Sequence, residues 1–291
     1  LPPSPHSMPR QLQRAGYRTA LVGKWHLGWK PAYSPLQHGF DEFFGFKSGY
    51  VDFYQHTYGA EHDLFDGDSA VTMPGYMTDL IADRSIAFIE RNAERPFFVD
   101  IAFNAPHWPY QVPGAPSVAR DNGRHLNAFD DSTSTRADYV AMLEHVDTQV
   151  GRILAALDRL QLRENTLVVF TNDNGGEWLS HNGPFFHHKG SVWEGGIRVP
   201  TIVRWPAQVA PGRVSHQAGM TMDLTATILA AAGVPRTADA PLDGIDLLPI
   251  LAGRAPEVER TLFWRVVNNR PQRAVRQGRW KLVFDGRPLL F

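Results

Sequence analysis

The 291-residue sequence predicts an α/β fold in which a mainly parallel sheet is sandwiched by helices. Short apolar runs that end in Gly, Asn, Asp or Pro clusters indicate buried strands that lead into loops. Helical patterns lie between these runs, whereas the C-terminal tail contains only strand-like runs. We therefore expect one large domain over residues 1–255 and the beginning of a small antiparallel subdomain over residues 256–291.

The predicted elements follow from local periodicity. The clearest strands are residues 19–23, 96–103, 166–171 and 201–205. The strongest helix covers residues 136–160, where apolar side chains from Val140 to Leu157 form one stripe at a period of about 3.6 residues. Weaker helices cover residues 75–92 and 221–232. Such alternation of strands and helices is typical of a parallel sheet covered on both faces.

Two segments lack this alternation. Residues 34–79 are rich in aromatic residues, Gly and Asp, and we interpret them as a long loop near the ligand edge of the sheet. Residues 260–291 contain strand-like runs at 261–267 and 273–284 with a turn at Gly278, which predicts the antiparallel subdomain.

Composition excludes several classes of function. Lys and Arg (29) nearly balance Asp and Glu (30), which argues against a nucleic-acid-binding protein. The sequence has no cysteine, so disulfides, thiolate metal sites and a cysteine nucleophile are excluded within it. No apolar run approaches the roughly 20 residues of a membrane span. No signal peptide is visible. The sequence starts at Leu1 without Met and resembles the interior of a protein sequence, so we expect that an N-terminal segment is missing.

The first candidate segment is TLVVFTNDNGG at residues 166–176, an apolar strand that ends in Asp173 and Asn174. Open α/β sheets place ligands at the carboxyl ends of strands, and adjacent carboxylate and amide oxygens suit calcium. Taken alone, the segment is better explained as a simple turn.

The second candidate segment is GKWHLG at residues 23–28, in which Lys24 and His26 can project to one side of a strand end. The ammonium could hold an oxyanion and the imidazole could transfer protons. A solvated lysine beside a histidine packed on Trp25 explains the segment equally well.

The third candidate is His107, which follows a strand and lies between Pro106 and Pro109. Prolines stiffen a loop, and a rigid loop that presents one imidazole is what a site needs. The alternative is a histidine that fills space beside Trp108.

The fourth candidate segment is HHKG at residues 187–190. His187, His188 and Lys189 could be metal ligands, anion ligands or a surface cluster. Glu194 and Arg198 lie four residues apart, and we interpret them as a structural pair.

The order and wording of these segments resemble the type I sulfatases of the alkaline phosphatase-like superfamily. Residues 14–28, RAGYRTALVGKWHLG, are similar to that family's second signature. The similarity continues in chain order and covers essentially the whole sequence, through HGFDEFFG at 38–45, TNDNG at 171–175, KGSVWEGGIRVP at 189–200, DGIDLL at 243–248 and AVRQGRWKL at 274–282. Each match is weak by itself, but together they favour function over the structural alternatives.

The resemblance implies a sulfuric ester hydrolase that uses one Ca²⁺ and a formylglycine nucleophile. Asp173 and Asn174 resemble two oxygen ligands of the calcium ion. Lys24 and His26 resemble the pair that contacts the formylglycine, with His26 expected to help break the covalent sulfate intermediate. His107 and Lys189 resemble residues that grip the sulfate group and assist departure of the alcohol. His188 lies where a substrate contact is plausible, and Asp223 is similar to a structural position.

The sequence departs from the family in one respect. Formylglycine is made from Cys or Ser in a Cys/Ser-x-Pro-x-Arg motif, and neither stands in that pattern here; Ser7-Met8-Pro9-Arg10 is only a near miss. The paired aspartates that complete the calcium site are also missing, while calcium usually takes 6–8 oxygens. We therefore predict that the 291-residue chain alone is inactive and less stable than a complete protein.

Two other functions remain open: a phosphonate or phosphate monoesterase of the same superfamily, and a non-catalytic protein that binds sulfated glycans. For a sulfatase we expect sulfate esters of carbohydrates or aryl alcohols as substrates, with specificity shaped by residues 40–58 and 110–131. Family habit implies periplasmic or secreted localisation. The sulfatase interpretation requires that the six candidate catalytic and metal residues converge on one oxyanion-sized hollow at one edge of the sheet; these are Lys24, His26, His107, Asp173, Asn174 and Lys189.

Overall fold

The computed structural model describes residues 1–116, 133–235, 240–267 and 271–291. The α-helices are α1 (Met8–Arg14), α2 (Met77–Arg91), α3 (Arg136–Arg159), α4 (Glu194–Ile197), α5 (Thr221–Ala231) and α6 (Leu248–Leu251). The strands are β1 (Arg18–Lys24), β2 (Glu42–Phe46), β3 (Thr57–Tyr58), β4 (Glu61–His62), β5 (Phe65–Asp66), β6 (Ser69–Ala70), β7 (Phe97–Ala102), β8 (Val168–Thr171), β9 (Thr201–Arg204), β10 (Thr261–Val266), β11 (Gln272–Gln277), β12 (Trp280–Asp285) and β13 (Arg287–Leu290).

The chain divides into two compact units. Unit 1 comprises Leu1–Arg163 and Thr225–Asp243, and unit 2 comprises Glu164–Leu224 and Gly244–Phe291. The division into residues 1–255 and 256–291 stays a prediction.

Unit 1 is built on a five-stranded sheet with the order β6-β5-β2-β1-β7. Strands β2, β1 and β7 are parallel, and strands β5 and β6, on the other side of β2, add to the sheet in antiparallel register. Leu21, Phe40 and Phe43 form a buried cluster on this sheet. The mixed, mostly parallel sheet with helices confirms the predicted fold class.

Helices α2 and α3 pack together beside this sheet. Hydrogen bonds join them along their length, from Gln149 to Asp79 at 2.7 Å and from Arg152 to Asp83 at 2.7 Å. The N-terminus of α3 is fixed by a capping box between Thr135 and Asp138, which satisfies backbone N–H groups that the first helical turn leaves unpaired. The predicted boundaries of both helices agree with the structure to within about two residues.

The prediction of a long loop over residues 34–79 is wrong for β2, which lies in the sheet beside β1. Its sequence, EFFGF, is buried on both faces and therefore lacks the alternation of polar and apolar residues that marks a half-buried strand. The remainder of the segment contains the 3₁₀ turn Pro35–His38 and the short strands β3 to β6, and another 3₁₀ turn, Pro31–Tyr33, precedes it.

Unit 2 contains β8 and β9, which pair with each other in antiparallel register. A parallel pair needs a long crossover, usually a full helix, and the only helix between β8 and β9 is the four-residue α4. The C-terminal sheet has the antiparallel order β10-β11-β12-β13, as predicted, but the second predicted run comprises two strands, β11 and β12, which turn at Gly278 with a φ of 54°.

Within the described residues, no helix combines the length and the apolar character needed to cross a bilayer.

Candidate active site

The carboxyl ends of β1, β2 and β7 lie side by side, and glycines occupy positions there at which a side chain would overlap the neighbouring strand. Gly23 is in register with Ala102 on one side and Gly45 on the other. A β-carbon on Gly23 would overlap the carbonyl of Ala102, and one on Gly45 would overlap the carbonyl of Gly23. This close approach brings Lys24 and the loops after β2 and β7 to one edge of the sheet.

Lys24 is the last residue of β1, and His26 follows two residues later in a left-handed conformation with a φ of 54°. The imidazole of His26 lies against the backbone of Gly49, where a β-carbon would come within 2.6 Å of Cε1 and 2.8 Å of Nε2. His26 is exposed, whereas Lys24 is partly buried. The loop after β2 therefore sets where the His26 ring can lie.

His107 lies in the loop after β7 and stacks on Tyr50, with ring centroids 5.9 Å apart and an interplanar angle of 9°. Its Nδ1 lies 2.7 Å from the carbonyl oxygen of Trp108. Because a carbonyl only accepts hydrogen bonds, Nδ1 carries a proton, and Nε2 is the nitrogen that can exchange one. His26 and His107 thus pack against the adjacent residues Gly49 and Tyr50, and unit 1 brings Lys24, His26 and His107 together.

In unit 2, Asp173 and Asn174 follow β8 after one intervening residue, close to the strand end as the sequence predicts. Their loop is tied to the segment around Lys189 by backbone hydrogen bonds, from Gly175 to Gly196 at 2.9 Å and from Lys189 to Gly176 at 3.0 Å. A β-carbon on Gly175 would overlap the carbonyl of Gly195, so this approach also requires glycine. Unit 2 therefore brings Asp173, Asn174, His188 and Lys189 into one pair of linked loops.

Lys189 forms an ion pair with Glu177, with 3.2 Å between Nζ and Oε2. Both side chains are about a quarter exposed, so solvent screens the pair and a competing anion can reach the ammonium. His188 directs Nδ1 to the carbonyl of Lys189 at 2.9 Å, which fixes the proton on that nitrogen.

Asp173 and Asn174 carry the type of side-chain oxygen that calcium binds. Asp173 is exposed. The Asn174 amide nitrogen donates to the carbonyl of Gly175 at 2.9 Å, which leaves the Asn174 side-chain oxygen as the atom that could bind a cation. Calcium prefers carboxylate and amide oxygens but takes six to eight of them. Over the described ranges, no cluster of three or more His, Cys, Asp or Glu residues has metal-binding geometry. By number, these two residues fall short of the six to eight oxygens that calcium takes.

The C-terminal sheet holds the segment that follows Lys189. The Val192 N–H donates to Gln272 at 2.9 Å, and the Lys281 ammonium donates to the Val192 carbonyl at 2.8 Å. Val192 is fully buried with Ala274 and Val283. The C-terminal sheet thus anchors Val192, three residues after Lys189.

Several contacts of the candidate residues were not predicted from sequence. Gly49 and Tyr50 lie in a segment without periodicity, and only its aromatic richness indicated a role near a ligand. No sequence pattern marked Glu177 as a contact of Lys189, because their pairing depends on how two loops fold together. The predicted specificity stretch at residues 110–131 lies outside the described residues from 117 onward. The convergence of all six catalytic and metal residues stays a prediction.

Comparison with known proteins identifies relatives along most of the chain. The family model described as Sulfatase matches residues 1–234. N-acetylgalactosamine-6-sulfatase of the dog, Canis lupus familiaris, is 35% identical over 284 residues, which cover 91% of this chain and 52% of that protein. Human arylsulfatase A is 33% identical over 311 residues, covering 94% of this chain and 57% of that protein. The chain thus spans about half the length of the curated relatives it matches.

A solved structure also resembles this one. The protein described as Ps i-CgsB, crystallised in complex with k-i-k-neocarrahexaose, superposes with a TM-score of 0.85 at 28% identity. The match covers 98% of this chain and 66% of that one.

Proposed function

Because this chain belongs to the sulfatase family, we propose that the protein hydrolyses sulfate monoesters of carbohydrates or aryl alcohols. One observation supports this most directly. His26 and His107 pack against the adjacent residues Gly49 and Tyr50 at the strand end that carries Lys24, so two groups able to transfer protons lie beside one able to hold an anion. Hydrolysis of an ester of a strong oxyanion needs both.

The lysines bind the substrate's negative charge. The ammonium groups of Lys24 and Lys189 attract the sulfuryl oxygens and stabilise the charge that develops on them. The ion pair with Glu177 keeps the Lys189 side chain in place before substrate binds, at little cost to substrate binding since the pair is partly exposed. His188 adds a substrate contact from the same loop.

The histidines move protons. His107, whose Nδ1 is fixed by the Trp108 carbonyl, gives a proton from Nε2 to the departing alcohol. His26, held over Gly49, takes up a proton during the release of sulfate. Loss of either imidazole removes a proton-transfer step.

A calcium ion held in part by Asp173 and Asn174 would offset negative charge on the substrate. A formylglycine would supply the nucleophilic oxygen. This sequence has no cysteine and no serine in the required motif, so neither precursor is present within the 291 residues.

We propose carbohydrate sulfates as the physiological substrates and a periplasmic or secreted location. The support is that N-acetylgalactosamine-6-sulfatase is among the relatives and that the related Ps i-CgsB was crystallised with a neocarrahexaose.

The test is a comparison of esters with the complete natural protein. We expect turnover of 4-nitrophenyl sulfate, and much slower turnover of 4-nitrophenyl phosphate and of a phosphonate monoester. His107→Ala should lower kcat by about 10²–10⁴-fold, the usual contribution of a general acid. Faster hydrolysis of the phosphorus esters would instead support the monoesterase alternative, and binding of sulfated glycans without any turnover would support the non-catalytic one. The 291-residue chain alone is expected to be inactive.

A further inference from the structure

A line of aromatic rings leads from His107 to the surface of unit 1. His107 stacks on Tyr50, Tyr50 contacts Tyr58 with centroids 4.7 Å apart, and Tyr58 contacts Trp29 at 5.6 Å. Trp108, which is 5% exposed, supports Tyr50 from beneath with an edge contact at 5.0 Å. We call Trp29, Tyr58 and Tyr50 the aromatic platform.

The outer end of the aromatic platform is open to solvent. Trp29 is 47% exposed, although tryptophan is highly buried on average. Its backbone position is fixed, because Gly28 packs on Tyr33, where a β-carbon would come within 2.9 Å of the Tyr33 Cβ. The Trp25 indole also donates to the Tyr33 carbonyl at 2.8 Å. Trp29 is therefore a large apolar ring presented to solvent by a constrained loop.

Two charged residues neighbour the aromatic platform, one in sequence and one in strand register. Lys30 is exposed next to Trp29, and exposed Glu61 pairs in register with Tyr58 across the β3–β4 hairpin. A flat ring face with charged hydrogen-bonding groups at its edge suits a ligand that has an apolar face and hydroxyl groups around its rim. A pyranose ring has this form, whereas a steroid or a simple aryl group would leave the two charged residues without partners.

We infer that the aromatic platform is a subsite for pyranose rings that are linked to the sulfated sugar near His107. This inference rests on the proposed function and narrows it to sulfated oligosaccharides. The C–H face of a sugar stacks on Trp29, and its hydroxyl groups bond to the two charged residues. A single aryl sulfate bound at His107 does not extend to Trp29, so the subsite favours oligosaccharides over small esters.

The test compares two kinds of substrate in three variants of the complete protein. The variants are Trp29→Ala, Trp29→Phe and the matched control Trp280→Ala, which removes a tryptophan that is 52% exposed on the C-terminal sheet. The substrates are 4-nitrophenyl sulfate and a panel of sulfated galactosamine, glucosamine and galactan oligosaccharides. Binding of the best oligosaccharide is also measured directly by calorimetry.

We expect Trp29→Ala to raise KM and Kd for the best oligosaccharide by about tenfold or more, as the loss of one aromatic stacking partner does elsewhere. kcat and the constants for 4-nitrophenyl sulfate should stay within about twofold, Trp29→Phe should recover most of the loss, and Trp280→Ala should behave like the parent.

Equal loss for both kinds of substrate, or no loss for either, would overturn the subsite. Hydrolysis of aryl sulfate without binding of any oligosaccharide would also overturn it and would leave the proposed function intact. Failure of the proposed function itself is distinct, since no sulfate ester would then be hydrolysed by the parent protein.

Discussion

Gly49 lies directly against the imidazole of His26, so close that a β-carbon at position 49 would come within 2.6 Å of Cε1 and 2.8 Å of Nε2. The φ of Gly49 lies outside the left-handed range, unlike those of Gly23 and Gly45. Position 49 needs glycine because of the neighbouring ring.

Gly49→Ala should therefore move the His26 ring with little strain on the backbone. Misplacement of a catalytic group by about 1 Å can lower the rate about 10²-fold, so we expect kcat to fall about 10- to 100-fold. Steady-state kinetics and thermal unfolding measured together provide the check.

Gly151→Ala is the matched control for this substitution. A β-carbon at position 151 meets nothing within 4 Å, and the residue lies inside α3. Alanine in a helix interior is favoured over glycine by about 1 kcal/mol, so this variant should be more stable and fully active. A Gly49→Ala enzyme with the parent's kcat would show that the position of His26 does not matter.

Removal of the charge of Lys189 should lower activity, whereas removal of the charge of Lys281 should lower stability. Lys189→Met should lower kcat/KM by at least about 100-fold if the ammonium stabilises the transition state. Its free energy of unfolding should change by less than about 1 kcal/mol, because the ion pair with Glu177 is partly exposed.

Lys281→Met removes hydrogen bonds to the Val192 carbonyl and to Glu194, at 2.8 and 2.6 Å, from a side chain that is 8% exposed. We expect a loss of about 2 kcal/mol in the free energy of unfolding, measured by urea denaturation. If Lys189→Met destabilised the protein as much as Lys281→Met does, the role of Lys189 would be structural.

Asp223 and Arg260 form a buried ion pair that should make unit 2 sensitive to acid. Burial raises the pKa of Asp223, but hydrogen bonds from Arg260 and from the Ile245 and Met220 N–H groups outweigh it, and the net pKa lies below the ordinary value. A lowered carboxyl pKa contributes stability above the unfolded-state pKa of about 4, and this contribution is lost as the pH falls through the folded-state pKa.

Asp223→Asn leaves Arg260 without its counter-charge, since Asp223 is fully buried and Arg260 is 14% exposed. Breaking such a pair costs about 3–5 kcal/mol. Urea denaturation from pH 7 down to about pH 2 should show a large loss at neutral pH and a difference from the parent that shrinks as the pH falls below about 4. A difference that stays equal over this whole range would contradict the linkage.

Protonation of the buried His56 imidazole should lower the free energy of unfolding of unit 1 in mild acid. Burial lowers its pKa below the ordinary value, while Nε2 lies 3.1 Å from the Gly75 carbonyl oxygen. A histidine with a lowered pKa contributes stability above pH 6.5 or so, and this contribution is lost as the pH falls through its folded-state pKa.

His56→Asn should therefore flatten the pH dependence of the unfolding free energy between about pH 7.5 and pH 5. Asparagine is chosen because it tolerates the left-handed φ of 54° at this position. His6→Asn, at an exposed position, is the control and should retain the parent's slope. An unchanged slope in His56→Asn would exclude His56 as the source.

The sequence predicted those parts of the molecule that local patterns specify. Asp173 and His107 were placed after strands because continuous apolar runs lead into Asp-Asn-Gly and proline-bounded loops. The apolar periodicity of residues 136–160 predicted both ends of α3 to within one residue. These features depend on short-range burial and on residue-specific backbone preferences.

Other features depend on contacts between distant segments. Strand β2 was missed because EFFGF is buried on both faces, and its place in the sheet requires Gly23 and Gly45 to meet. The antiparallel pairing of β8 with β9, the position of Gly49 under His26 and the pairing of Glu177 with Lys189 have no local signature. Nothing in the composition of these segments distinguishes such contacts from ordinary turns.

The central claim is that Lys24 and His107 act on the same sulfate group, and a double-mutant cycle tests it most directly. kcat/KM for 4-nitrophenyl sulfate is measured for the complete protein, Lys24→Ala, His107→Ala and the double variant. Residues that act as one catalytic unit are strongly non-additive, so we predict that the double variant is scarcely slower than the slower single variant. Losses that multiply in the double variant would contradict the claim.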